Sequence, residues 1–181
     1  MALPNAKDLI ETNKYLDQLK DKIISEARSN LSKGRQNAFG KLSKSLEGTI
    51  KQSRNSIDIN FDMESYGFFQ DRGVQGKESG KSYSGFKYNR KRPPIKSILP
   101  WIKKRGLKGR NKKTGKFTTH KSLAFAIANS IYKKGIKPTL FFTKPFEKYA
   151  KKIPKEIIER YEIDLLRLFN SIENRNLKDK K

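Results

Sequence analysis

Apolar residues along this 181-residue chain recur in two different periods, and the change between them divides it. From 6 to 33, Leu9, Leu16, Leu19, Ile23, Ala27 and Leu31 fall three, four or seven apart. That spacing lines them along one face of a long amphipathic helix. Asn5 stands where an N-cap belongs, and Gly34 where the helix should stop. Leu42, Leu46 and Ile50 keep the spacing of four and predict a second, weaker helix. The period then drops to two. Ile57, Ile59, Phe61 and Met63 alternate with Asp58, Asn60, Asp62 and Glu64, the pattern of a strand with one buried face. A turn at Ser65-Tyr66-Gly67 would lead into a second strand through Phe68 and Phe69, giving a β-hairpin or meander.

Gly73 to Arg92 is rich in Gly, Ser and Lys, has no apolar periodicity, and reads as a long exposed loop. Pro93-Pro94 opens a short helix with Ile95, Ile98, Leu99 and Ile102 on one face and Trp101 beside them. Pro100 should kink or split it, and Gly106 ends it. Residues 103–116 read as a flexible loop. Thr119 caps a helix from about His120 to Lys134. Leu123, Ala124, Phe125, Ala126, Ile127, Ala128 and Ile131 make that helix apolar over most of its surface, which predicts the buried centre of the fold. Gly135 terminates it. Ile136 to Phe142 is extended, with Pro138 favouring an edge. A last helical region starts at Pro145, breaks near Pro154, and places Ile157, Ile158, Tyr161, Leu165, Leu168, Phe169 and Ile172 on one stripe. The polar tail after Asn174 is expected to fray. The expected fold is α+β: a small antiparallel sheet packed against a buried helix, with long amphipathic helices at both ends. It forms one domain over 1–176, with exposed basic loops at about 75–92 and 103–119 and a polar tail at 177–181.

Charge changes this picture. The formal net charge is +24, and residues 77–121 hold sixteen Lys or Arg against one acid, Glu78. Like charges repel and so do not help a monomer fold; such a field is aimed at a partner, either nucleic acid or an acidic protein face. Eight of the cations fall between 103 and 116: Lys103, Lys104, Arg105, Lys108, Arg110, Lys112, Lys113 and Lys116. Together with Lys87, Arg90, Lys91 and Arg92 they interleave with Tyr83, Phe86, Tyr88 and Phe117. Cations can neutralise phosphates while rings stack on bases, although Phe86 and Tyr88 would equally serve to anchor the loop. These twelve cations are the candidate DNA- or partner-contacting residues.

Other chemistry is sparse. There is no cysteine, which removes disulfides, thiolate metal sites and a Cys nucleophile. His120 is the only histidine, so neither a two-histidine acid–base pair nor a three-histidine zinc site can form, and a capping or surface role is its default. Gly76 to Ser82 looks briefly like a phosphate-binding loop, but Gln75 stands where the first Gly is needed and no strand–helix context surrounds it. Asp58, Asn60 and Asp62 match the opening of a calcium loop, yet Met63 and Phe69 occupy the positions that require Gly and Glu. No catalytic residue, metal or cofactor is expected. Met1 to Asp8 lack a secretion signal, and no apolar run approaches the roughly 20 residues of a membrane span. The expectation is a soluble chain made in the cytosol, with no membrane partner.

Three segments carry a resemblance to a known family. They are YGFFQDRGVQG at 66–76, PPIKSILPWIKKRG at 93–106, and SLAFAIANSIYKKGIKPTLFFTKPF at 122–146. Their order and spacing resemble the neck, tail-completion and minor tail proteins of tailed bacteriophages. The Lys-, Asn- and Ile-rich composition looks like phages of AT-rich hosts, including short-tailed crAss-like phages. The resemblance implies a non-enzymatic virion component in the neck or tail, a head–tail connector or ring protein around the DNA exit channel. Its implied partners are itself in a closed ring, the portal and adjacent tail or neck rings, with non-specific contact to phage DNA. The large positive charge and the long 103–119 loop depart from the family pattern. The alternative is a free nucleic-acid-binding protein that contacts phosphates through 77–121.

Overall fold

Helix α1 spans Ile10–Lys33 in the computed structural model, which describes residues 8–34, 39–53, 56–80 and 85–178. Asn5, expected as its cap, lies outside the described residues. The helix turns Thr12, Leu16, Leu19, Ile23, Ile24, Ala27 and Leu31 inward, the face that its periodicity marked. It stops at Gly34, whose N–H bonds to the Asn30 carbonyl.

The expected helix through Ile50 is only a single turn, α2 (Lys41–Ser45). Leu42 and Leu46 both bury against the α1 end that carries Ile24, Ala27 and Leu31. Leu46 then turns extended, at φ −77° and ψ 105°, so Ile50 falls on strand β1 (Glu47–Gln52). β1 pairs antiparallel with β2 (Ile57–Asp62), with Ile50 opposite Ile59 and Lys51 opposite Asp58. The period-two segment is therefore a strand as expected, but its partner precedes it. Residues 66–72 are helix α3 (Tyr66–Arg72), not a second strand. The reason lies in its inward residues. Gly67 and Asp71, four apart on one helical face, are buried, which turns Phe68 and Phe69 outward.

A two-residue ladder joins β3 (Val74–Gln75) to β4 (Gly135–Ile136). Between them lie α4 (Ile95–Arg105) and α5 (His120–Lys134), which pack on each other through Ile98, Ile102, Ala124 and Ala128. α4 does not split at Pro100, which lies inside it. Pro100 and Lys96 are both exposed, so water can take the carbonyl that the missing N–H leaves free. α5 is not the buried centre of the fold. Among its residues only Ala124 and Ala128 are buried, and Phe125 is 51% exposed, because α4 covers one side alone.

Two further helices close the chain, α6 (Thr143–Ala150) and α7 (Ile153–Lys178). The break falls at Lys151-Lys152; Pro154 sits in the first turn of α7, where its missing N–H costs no helical bond. α7 continues to Lys178, past the point where fraying was expected. It packs along α1, with Ile153 and Ile157 joining Tyr149, Ile50 and Ile59 around Leu16, Leu19 and Ile23. Its expected single stripe splits in two. Ile157, Tyr161, Leu165 and Leu168 are half-buried, whereas Ile158, Phe169 and Ile172 face outward. The α+β class holds, with a small antiparallel sheet and long helices near both ends.

Candidate nucleic-acid and partner interface

The last turn of α4 carries Lys103, Lys104 and Arg105, favourable at the negative end of a helix dipole. Gly106 stops the helix at φ 61°, and the Leu107 N–H returns to the Ile102 carbonyl at 3.1 Å. Beyond it the chain forms a small hairpin in place of the flexible loop read from sequence. Arg110 pairs with Phe117 across it. The Thr118 N–H donates to the Gly109 carbonyl and the Asn111 N–H to the Lys116 carbonyl, both at 2.9 Å. The Asn111 side-chain oxygen accepts from the Lys113 N–H at 2.8 Å, and Gly115 completes the turn at φ 67°. Lys108, Arg110, Lys112, Lys113 and Lys116 all project from this hairpin into solvent.

The second group is held differently. Gln75 donates to the Phe86 carbonyl at 2.8 Å and accepts from the Tyr88 N–H at 2.9 Å. The Phe86 ring meets Phe69 edge-on with centroids 4.7 Å apart, and the Tyr132 hydroxyl donates to the Asn89 carbonyl at 3.0 Å. The segment expected as a free exposed loop over 73–92 is thus tied down at both β3 and α5. Phe86 and Tyr88 are anchors; Tyr83 lies outside the described residues. The Arg92 guanidinium rests over Phe125 and Tyr132, at 5.5 and 5.8 Å from the ring centroids, so part of its capacity is already used. Lys87, Arg90 and Lys91 are exposed.

Counter-charge is missing from this surface. Glu78, the one acid of the stretch, pairs with Lys133 at 2.9 Å. None of the twelve candidate cations forms an ion pair among the described residues. Arg105 is half-buried, and its buried Nε has no hydrogen-bond acceptor among the described residues. At the base of the hairpin Phe117 is 62% exposed, with Arg110 4.6 Å and Lys108 5.9 Å from its centroid. The chemistry of such a surface suits phosphate or carboxylate charge and requires no reading of bases.

The remaining candidates take structural places. Gly76, from the phosphate-loop lookalike, crosses the backbone of 133–135 so closely that a Cβ there would lie 2.2 Å from the Lys133 carbonyl. Asp58, Asn60 and Asp62 form the wet face of β2. His120 is exposed at the first residue of α5, whose cap is Thr119: its hydroxyl accepts from the Ser122 N–H at 3.2 Å. Among the described residues no three His, Cys, Asp or Glu side chains gather as a metal site, and no helix is long and apolar enough to cross a membrane.

Sequence reasoning missed one feature. A groove of about 1270 Å³ runs between α2–α3 and α4–α5, with Phe39, Tyr66, Phe69, Trp101, Ile127 and Ile131 in its walls. Tyr66 and Phe69, three apart on α3, were its signal, obscured by reading them as turn and strand. Comparison with protein families, curated proteins and solved structures finds no match to this chain.

Proposed function

We propose that this chain is a structural virion protein: a head–tail connector or tail ring component that assembles around the DNA exit channel below the portal. The observation that carries the reading is the cation surface of α4 and its hairpin, which finds no counter-charge within the described fold. Exposed apolar faces on α3, α5 and α7 supply what a subunit needs to bury against neighbours. The order of the three family-like segments supports the same reading. In it, Lys103, Lys104, Arg105, Lys108, Arg110, Lys112, Lys113 and Lys116 meet DNA phosphates or the acidic face of an adjacent ring.

Mass spectrometry of purified particles of the encoding phage tests this directly: peptides of the chain are expected in near-constant ratio to portal peptides. Their absence from particles would remove the proposal.

Phe117 favours a second reading. An exposed ring beside two cations is also how single-stranded nucleic acid is held. A free nucleic-acid-binding protein would bind tightly as an isolated monomer and lose that binding steeply with salt. A connector subunit is expected to bind weakly until it is assembled.

A further inference from the structure

We infer that the apolar groove of one copy receives the outward stripe of α7 from a second copy, so that subunits join head to tail; this rests on the proposed ring role. The groove, at about 1270 Å³, exceeds the ~300–1,000 Å³ usual for small-molecule pockets, which points to a polypeptide occupant. Its walls are aromatic and aliphatic. Among the described residues no acid lines it; of its three cations Lys41 pairs with Glu64 at 2.9 Å, whereas Lys87 and Lys137 are exposed without ion pairs.

α7 has the complementary shape and sign. Ile158, Leu166, Phe169 and Ile172, all exposed, succeed one another at eight, three and three residues along one side of the helix, an apolar face that can pack into a groove. Ile158 is 67% exposed and Phe169 49%, so the stripe does not fill its own groove. Around it stand exposed Glu159, Glu162 and Glu173. Over α7 as a whole acids and cations balance at five each, but these three carboxylates border the stripe itself, in a chain of net charge +24. A basic-rimmed concave face and an acidic-flanked convex face are unlike surfaces on one subunit. Their pairing is heterologous, and repetition closes a ring or runs on as a filament.

The chain has no native cysteine, so single introduced cysteines report the contact cleanly. Tyr66→Cys marks the groove mouth and Phe169→Cys the helix. Mixed at high concentration and mildly oxidised, the two variants are expected to form a disulfide-linked dimer that neither forms alone. Phe169→Cys mixed with Lys51→Cys, on the exposed edge of β1, is the control. A mixture that links no better than this control overturns the inference. So does Phe169→Cys linking to itself at equal yield, which would mean a two-fold face.

Charge gives an independent measurement. Lys87→Glu with Lys137→Glu is expected to weaken self-association by about tenfold or more, because like charges then face each other. Mixing that protein with Glu162→Lys should restore it, and failure to restore would sink the pairing. The two readings fail separately. A chain present in virions whose faces do not cross-link loses only this docking. A chain that cross-links but is absent from virions loses the connector role and keeps the head-to-tail contact.

Discussion

The Asp164 carboxylate of α7 grips the first turn of α1 at Thr12. One oxygen accepts from both the backbone N–H and the hydroxyl of Thr12, each at 2.9 Å, while the other accepts from the Glu11 N–H at 2.9 Å. Two N–H groups that α1 cannot satisfy itself are thus capped from 152 and 153 residues away. Asp164→Ala should cost about 2–3 kcal/mol, since it removes charged hydrogen bonds from a buried site. Urea unfolding at neutral pH measures it; a change within error would show that the grip contributes nothing.

The same carboxylate predicts the acid response. Burial pushes its pKa up, but the hydrogen bonds from Glu11 and Thr12 and the nearby Arg167 outweigh that and hold it below the ordinary value. A folded pKa below the unfolded one gives stability that is complete above the unfolded pKa and lost as pH falls through the folded one. The difference in stability between wild type and Asp164→Ala should therefore narrow as pH drops below about 4. A constant difference would contradict it.

Gly76 and Gly135 cross at van der Waals limits. A Cβ on Gly135, at φ 82°, would lie 2.2 Å from the Val74 carbonyl oxygen, and one on Gly76 2.2 Å from that of Lys133. Either Gly→Ala change should cost at least about 2 kcal/mol, whereas Gly80→Ala, with nothing within 4 Å, should stay within about 0.5 kcal/mol. Thermal melting of the three variants decides this.

Replacing Lys112, Lys113 and Lys116 together with Gln should leave the melting temperature unchanged, because all three are exposed and unpaired among the described residues. If the hairpin binds duplex phosphates, the slope of log affinity against log salt should fall by about 0.9 for each phosphate no longer neutralised. Fluorescence anisotropy across a salt series measures it, and an unchanged slope would move the DNA contact elsewhere.

Much of this was legible where local physics decides. α1, β2 and α5 follow from period, and Thr119 and Gly106 from cap chemistry. Where tertiary contacts decide, the reading failed. Ile50 continued a spacing of four, yet pairing with Ile59 made it strand. Phe68 and Phe69 looked like strand residues, but Asp71 had to reach the Phe142 N–H at 2.8 Å, which a helix accomplishes by turning it inward with Gly67. The basic loop did carry a turn signal, Asn111 with Gly115 four residues on, hidden among its lysines. Of the candidate site, the residue types were readable and their lack of counter-charge was not, because that depends on where Glu78 points.

α4 and α5 have a core of their own, joined to the rest by the two-residue Val74–Ile136 ladder, the bonds from Lys77 and Glu78 to the end of α5, and the strap through Gln75 and Phe86. A seam made of a few backbone bonds, without a shared core, is expected to let the two parts open separately. In deuterated water the amides of α4 and α5 should therefore exchange as one block, ahead of those of α1, and the cation-bearing arm can open while the α1–α7 body stays protected.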